Sequence, residues 1–547
     1  MPRAWIVVGL IAAAVAGGLL PLIVNGSDRV GEVAMSIAVL GLTLGPLLWS
    51  VAQRRFDLFE PIVSASVMLA LLFGVRPLYV IGDGSYQFLG KDISHSFSMA
   101  VALGLAGTVA FVGAYWLYRP KPSRRPGESR AYGGLTSAAI LIGVPVALLG
   151  AALFAVNLLR MGPLSMVIPL WLGGKSDELL VAFKGNSEYL SAAPILASCA
   201  AVVIGCASGW HLARSTRILI ILLVAFPVLV FSVGGDRRFL IPSMGVPLVA
   251  YFLSTNRRPG RLVLVASVPV MFAVLVTIPL IRTSGGREQA GGVVPAITGA
   301  VMAPLEQWDH FITSYDTDMV ESLSVEVGVL RDDFFYGGAT IGDLLIAPIP
   351  SSLFPDKPTT ARDQMLIKAY GSPCTFGAGG LCPDFSAIGT FYQDFSWPGV
   401  LFGMALLGAM SRAVWARYME DPRSVTRVIV AATWCVSLPI IIRAGVMPAL
   451  AWWLYFLLPS LAIARLAQAM ATRFPNPRPT PGRGPLGDVT GPQTRWHGRR
   501  RGGLTCAGSS AWSATSMPTR MPHSRGLWGR WPAAGRTWTR TNANRRA

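Results

Sequence analysis

The stretch FSMAVALGLAGTVAFVGAYWL, Phe97 to Leu117, contains no charged residue over 21 positions. Wound as a helix, a run of about 20 apolar residues reaches about 30 Å, the thickness of the hydrocarbon core of a bilayer. Outward from it, runs of spanning length recur at 4–24, 32–51, 58–79, 135–156, 190–208, 217–233, 239–254, 262–281, 396–411, 426–442 and 446–466. Pro and Gly interrupt many of them, which bilayer helices tolerate because neighbouring helices re-satisfy the freed backbone groups. The runs at 239–254 and 426–442 are short, so re-entrant or tilted geometry is open there. Over all 547 residues, 52% are hydrophobic and only 14% charged, with a mean hydropathy of +0.51. A water-soluble globule could not expose that balance. The expected fold class is all-α, a polytopic membrane helix bundle of about 12 transmembrane helices, read from span length.

Charge sets the orientation. Alternate connections carry Arg54/Arg55, Arg119/Lys121/Arg124/Arg125/Arg130, Arg214/Arg217, Arg257/Arg258/Arg261 and Arg412/Arg417/Arg423. The positive-inside rule places all of these in the cytoplasm, with both termini on that side. The run Ala4–Val24 resembles a signal peptide, but the next span follows at once and no small-residue cleavage site stands out, so it reads as a retained first span. From Arg473 onward fourteen arginines stand against one acidic residue, Asp488, and supply +13 of the net +19. The high isoelectric point therefore describes the tail and gives no reason to expect a nucleic-acid partner. Rich in Arg, Trp, Gly, Pro and Ser, the tail cannot bury a core and is expected to be disordered. The organisation read from the sequence is residues 1–282 as spans one to nine, 283–387 as a large extracytoplasmic loop between spans nine and ten, 388–470 as the last three spans, and 471–547 as a basic cytoplasmic tail.

A loop of that length is rarely idle. Trp308, Phe311, Tyr315, Phe334, Phe335 and Tyr336 give it apolar anchors, and Pro348, Pro350 and Pro355 rigid turns. Short, partly amphipathic helices against the outer membrane face are expected. Cys374 and Cys382 flank a Gly-rich turn in an oxidising compartment, where a disulfide is the natural reading. Cys199, Cys206 and Cys435 fall in spans and read as small packing residues. No His/Cys cluster suggests a zinc site, and no metal ion or cofactor is expected.

Arginines that break the positive-inside pattern need a compensating role. They are Arg76, Arg160, Arg237, Arg238, Arg282, Arg287 and Arg443. Several recur at one membrane depth beside glycines, which let backbone N–H groups approach a ligand. That set suits an anion with several oxygens, because Arg binds phosphate bidentately; a pyrophosphate at the outer leaflet is the candidate for Arg76, Arg237, Arg238, Arg282, Arg287 and Arg443. The bland alternative is that these residues snorkel to headgroups or pair with Asp236, Glu288 or other loop acids. Phosphate-loop, dinucleotide-fold, zincin and esterase motifs are all missing from the sequence. Asp309, His310, Asp363 and Asp394 are the candidates for a general base. Tyr336, Lys357, Arg362 and Tyr392 are candidates for glycan contact, with internal ion pairing or interface anchoring as the alternatives.

In this order the segments RPLYV (Arg76 to Val80), GGDRRFLIP (Gly234 to Pro242), YGGATIGDLLIAPIPSSLFPDKP (Tyr336 to Pro358) and AIGTFYQDFSWPGVLFGM (Ala387 to Met404) resemble the O-antigen polymerase, or oligosaccharide repeat unit polymerase, family of bacterial membrane glycosyltransferases. The resemblance covers roughly residues 30 to 465. The Cys374/Cys382 pair departs from the family pattern, as does Asp–Arg–Arg where Ser/Gly–Arg is common. The resemblance implies metal-independent transfer of a growing glycan from an undecaprenyl-pyrophosphate carrier to a sugar hydroxyl of another lipid-linked repeat unit. It implies a location in the bacterial cytoplasmic membrane, with lipid-linked donor and acceptor, a flippase and a chain-length regulator as partners. An O-antigen ligase-like transferase shares donor and arginines, and a polysaccharide or lipid transporter shares the span count. A non-enzymatic scaffold is a further alternative.

Overall fold

The computed structural model describes residues 29–53, 56–119, 132–163, 165, 188–210, 213–233, 237–260, 317–330, 337–346, 349, 354, 356, 358–371, 383–447 and 452–473. Helix α1 covers Val30–Ala52. Helix α2 runs Pro61–Asp83 and contains one π turn at Leu71–Val75. A two-stranded hairpin follows, β1 (Gln87–Phe88) antiparallel to β2 (Lys91–Asp92). Then come α3 (Ser94–Leu117), α4 (Tyr132–Met161), α5 (Ile195–Ala207), α6 (Arg214–Val233) and α7 (Arg237–Thr255). Three shorter helices, α8 (Met319–Leu330), α9 (Ala339–Ile346) and α10 (Ala361–Tyr370), precede α11 (Ala387–Glu420), α12 (Val425–Ala444) and α13 (Trp453–Arg473).

Eight of these helices are long and apolar enough to cross a bilayer, and α5 and α7 are shorter apolar helices. Together they fall on ten of the twelve runs read from the sequence; the runs at 4–24 and 262–281 lie outside the described residues, as do nearly all of the tail and the Cys374/Cys382 pair. Leu48, Leu148, Leu159, Ile221, Leu229 and Phe402 are exposed on the outside of the bundle, which a hydrocarbon solvent accepts and water would not. Cys199, Cys206 and Cys435 are free and buried, as packing residues should be.

One core forms around α3, with Phe97, Leu103 and Phe111 fully buried, and another around α5, with Val202, Val203 and Ile204. Ion pairs mark one end of the bundle. There Arg258 meets Asp57 at 2.7 Å, Arg412 meets Glu60 at 3.4 Å, and the Tyr115 hydroxyl donates to Glu60 at 2.6 Å. Arg258 and Arg412 belong to two of the arginine-rich connections.

Helix α11 begins earlier than its apolar run and is kinked, with Phe395 and Ser396 out of helical geometry and Ser396 at φ +58°. The cause lies in the sequence: Pro398 has no N–H for the Asp394 carbonyl and its ring crowds that carbonyl. The Asp394 carbonyl accepts instead from the Gly337 N–H at 3.1 Å.

The loop region differs from expectation. Helix α8 does not lie on a membrane face but packs against α3, with Met319, Val320, Leu323, Ser324 and Glu326 all fully or almost fully buried. Glu321 and Ser322 find partners inside the protein and Ser324 bonds its own helix, while Glu326 is enclosed without one.

Candidate functional site

The site lies at the end of the bundle opposite the Asp57/Glu60 ion pairs. Arg76 is the first residue after the π turn of α2, a local underwinding that redirects the side chains beyond it. It is buried, and its Nε donates to Glu321 Oε1 at 2.7 Å. Its guanidinium also stands 5.5 Å from the Tyr79 ring centroid. Glu321 lies in the first turn of α8, three residues after Asp318, whose backbone carbonyl accepts the Ser322 N–H at 2.9 Å. The Ser322 hydroxyl then donates to the Asp384 carbonyl at 3.0 Å, so α8 is tied to the segment leading into α11.

Asp384 collects two arginines. Arg362 Nη2 donates to its Oδ1 at 3.0 Å and to the Pro383 carbonyl at 3.1 Å, and Arg443 Nη1 donates to Oδ2 at 3.2 Å. Arg443 reaches it because α12 ends at Gly445, at φ +80°, where a Cβ would collide with the Thr390 hydroxyl and the Phe385 carbonyl. Only glycine allows that backbone conformation and that approach together. Asp384 thus receives two guanidiniums, and the Arg362 Nε is buried without a hydrogen bond.

Asp318 adjoins both groups. Only 2% exposed, it hydrogen-bonds through neither carboxylate oxygen. Burial pushes its carboxyl well above the usual range and the Glu321 charge pushes it further, while Arg443 and then Arg76 oppose the shift. Glu321 is raised too, by burial, with Arg76 opposing. A cavity of about 490 Å³ opens beside these groups, with Arg76, Asp318 and Glu321 in one wall and Gln87 and Phe88 of the hairpin in another.

Of the residues singled out in the sequence, the fold brings Arg76, Arg362 and Arg443 together. Each is held by an acid of the loop region, the pairing the sequence left open as the bland alternative. Asp363 lies in the first turn of α10, whose N-cap is Thr360: the Thr360 hydroxyl accepts the Asp363 N–H at 3.1 Å and donates to the Asp363 carboxylate at 2.9 Å. Asp394 is buried and its Oδ1 accepts the Thr340 N–H at 3.1 Å. Both therefore serve the fold of the loop. Tyr392 is buried on α11, and Arg237 and Arg238 open α7. Arg282, Arg287, Asp309, His310, Tyr336, Lys357, Cys374 and Cys382 lie outside the described residues.

Asp318, Glu321, Glu326 and Asp384 were not singled out from the sequence. The available signal was MVESLSVEVGVL (Met319 to Leu330), an apolar helix carrying two carboxylates, near in fold to arginines that needed partners. Glu326 is fully buried with both oxygens lacking a hydrogen bond, and burial alone raises its carboxyl well above the usual value. Among the described residues no group of three acidic, His or Cys side chains could hold a metal ion. No family model, curated protein or solved structure matches this chain.

Proposed function

We propose that this protein is a membrane glycosyltransferase that polymerises undecaprenyl-pyrophosphate-linked oligosaccharide repeat units on the outer face of the bacterial cytoplasmic membrane. The observation that carries the reading is Asp318: a buried carboxyl with no hydrogen bond, adjoining a two-arginine cluster and a cavity. Arg362 and Arg443 take the donor pyrophosphate, whose oxygens compete with Asp384 for their N–H groups. An acceptor sugar hydroxyl occupies the cavity side of Asp318.

In the transfer, the acceptor oxygen bonds to the anomeric carbon of the donor glycan while the bond from that carbon to the pyrophosphate oxygen breaks. The bonding pair leaves with the pyrophosphate, where fixed guanidiniums stabilise the added charge. The hydroxyl proton passes to the Asp318 carboxylate. A carboxyl with a raised pKa is a stronger base than an exposed one and suits that role. Arg76, held by Glu321, positions Asp318 and keeps part of it ionised.

The test is the length ladder of surface or lipid-linked glycan in cells carrying Asp318→Asn, Arg362→Ala or Arg443→Ala at matched membrane levels. Collapse to single repeat units in each is the expected result. A full ladder in all three overturns the assignment.

A further inference from the structure

A second buried carboxyl, which the transfer chemistry does not use, follows Asp318 along the same helix. Asp318, just before α8, and Glu326 within it lie about two turns apart, about 12 Å along the axis and on one side of the helix. The Glu326 carboxyl is wedged against α11: an added Cβ at Gly389, in the first turn of that helix, would overlap it. Tyr370, the last residue of α10, packs on the core that α8 shares. Its hydroxyl is buried without a hydrogen bond, as are both carboxyl oxygens of Asp318 and both of Glu326. Burial, then the charges of Asp318 and Glu326, hold the proton on Tyr370, so it stays an O–H donor that both carboxyls feel. Buried polar groups in a native fold are normally satisfied, and one arrangement completes these three. A protonated Glu326 donates to the Tyr370 oxygen, and Tyr370 donates to an ionised Asp318. The direction follows from the surroundings. Burial disfavours both charged forms; at Asp318, Glu321 and Asp384 add to it and Arg443 and Arg76 oppose it, whereas at Glu326 it acts unopposed. Tyr392 of α11 is the other titratable group within reach of the Glu326 charge.

We propose that Tyr370 is a positioning residue for Asp318: its hydroxyl donates to the ionised Asp318 carboxylate while accepting from a protonated Glu326, and this chain of three groups sets the pH at which the base becomes available. The inference rests on the glycosyl-transfer reading and adds the residues that govern its proton acceptor. A hydrogen bond to the charged form of a carboxyl favours that form, so Tyr370 enlarges the ionised share of Asp318 and fixes the direction in which its free lone pairs point. Glu326 acts one step further out, by orienting the single O–H that Tyr370 has to give.

The experiment follows the carbonyl stretch of protonated carboxyls by difference infrared spectroscopy across pH steps, on the full chain in lipid nanodiscs. The two bands are assigned by their loss in Asp318→Asn and Glu326→Gln, and the Asp318 band is expected to vanish at the lower pH. Tyr370→Phe should raise the Asp318 midpoint by about 1–2 pH units, a ten- to hundredfold change in proton affinity for loss of a hydrogen bond to a charged group. The pH–rate profile of transfer should move with it. Glu326→Gln, whose amide N–H can still donate to the Tyr370 oxygen, should leave the midpoint near its wild-type value. In the unsubstituted chain a tyrosine C–O stretch should change together with the Asp318 band and stay constant in Asp318→Asn, a readout that serves even if Tyr370→Phe does not fold. An Asp318 midpoint indifferent to Tyr370→Phe, a midpoint that moves in Glu326→Gln, or no tyrosine change on Asp318 ionisation would overturn the proposal. The titration needs no turnover, so the two readings separate. A Tyr370-dependent midpoint in a protein whose Asp318→Asn variant keeps a full glycan ladder sinks the polymerase reading. A ladder that depends on Asp318, with a midpoint indifferent to Tyr370, sinks only the role of Tyr370.

Discussion

Removing either partner of the Arg76–Glu321 pair should be costly, but not equally. The two side chains are 10% and 5% exposed, and breaking a buried pair by deleting one partner typically costs about 3–5 kcal/mol because the other charge is stranded. The stranded groups differ. Glu321 can escape by binding a proton, since burial already raises its carboxyl and Arg76 is the cation that opposes the rise. Arg76 has no such escape, because a guanidinium does not deprotonate in a protein. Glu321→Leu should therefore destabilise by nearly the full amount at every pH, and Arg76→Met by less. The sign of the pH effect follows from linkage: in Arg76→Met the folded-state carboxyl moves further above its unfolded value. Stability then falls as pH rises through the window above 4.5 toward the folded pKa. The loss in Arg76→Met is thus larger at pH 8 than at pH 5.5. The double variant Arg76→Met/Glu321→Leu, with both charges gone, should lie closer to wild type than Glu321→Leu alone. Unfolding in mixed micelles measures all of these, in an Asp318→Asn background so that Asp318 cannot take the place of Glu321. Additive single losses, or an Arg76→Met loss that shrinks on raising pH, would refute the reasoning.

Three further outcomes are expected. The transfer rate should rise with pH through the elevated pKa of Asp318, which must be ionised to accept a proton; Arg443→Gln should move that rise to higher pH, because Arg443 is a cation that lowers it, and a pH–rate profile reads both. Glu326→Gln should flatten the stability–pH curve, since a carboxyl raised in the folded state costs stability as pH increases above its unfolded value; Tm at pH 5 and pH 9 tests this. Gly408→Ala should destabilise by about 1–3 kcal/mol through overpacking, because the added Cβ meets the Phe111 carbonyl and backbone, which cannot rotate aside; thermal melting of the purified variant shows whether it does.

The membrane helices were legible because each carries its own signal, a run of apolar residues long enough to cross a bilayer. Pro398 likewise announces the α11 kink locally. Arg76 and Arg443 could be flagged because positive charge on that side breaks a topological rule. Their partners could not be identified, since Arg76 and Glu321 are separated by 245 positions and no periodicity links them. The enclosure of α8 was not legible for a related reason: only the tertiary fold buries Glu321, Ser322, Ser324 and Glu326. Asp363 attracted attention as an acid of the loop and Asp394 as one at the entrance of a span, yet the first turn of a helix and a backbone clamp also use carboxylates, and sequence does not distinguish those uses.

Asp318, the least conspicuous of these residues in sequence, carries the central claim. The most direct test gives the purified protein in nanodiscs lipid-linked repeat units extracted from cells lacking it, and counts carrier pyrophosphate released against glycosidic bonds formed. The account expects one released for each bond made by the wild-type chain and neither from Asp318→Asn, which keeps its fold. Undiminished transfer by Asp318→Asn, or no transfer by the wild-type chain, would contradict it.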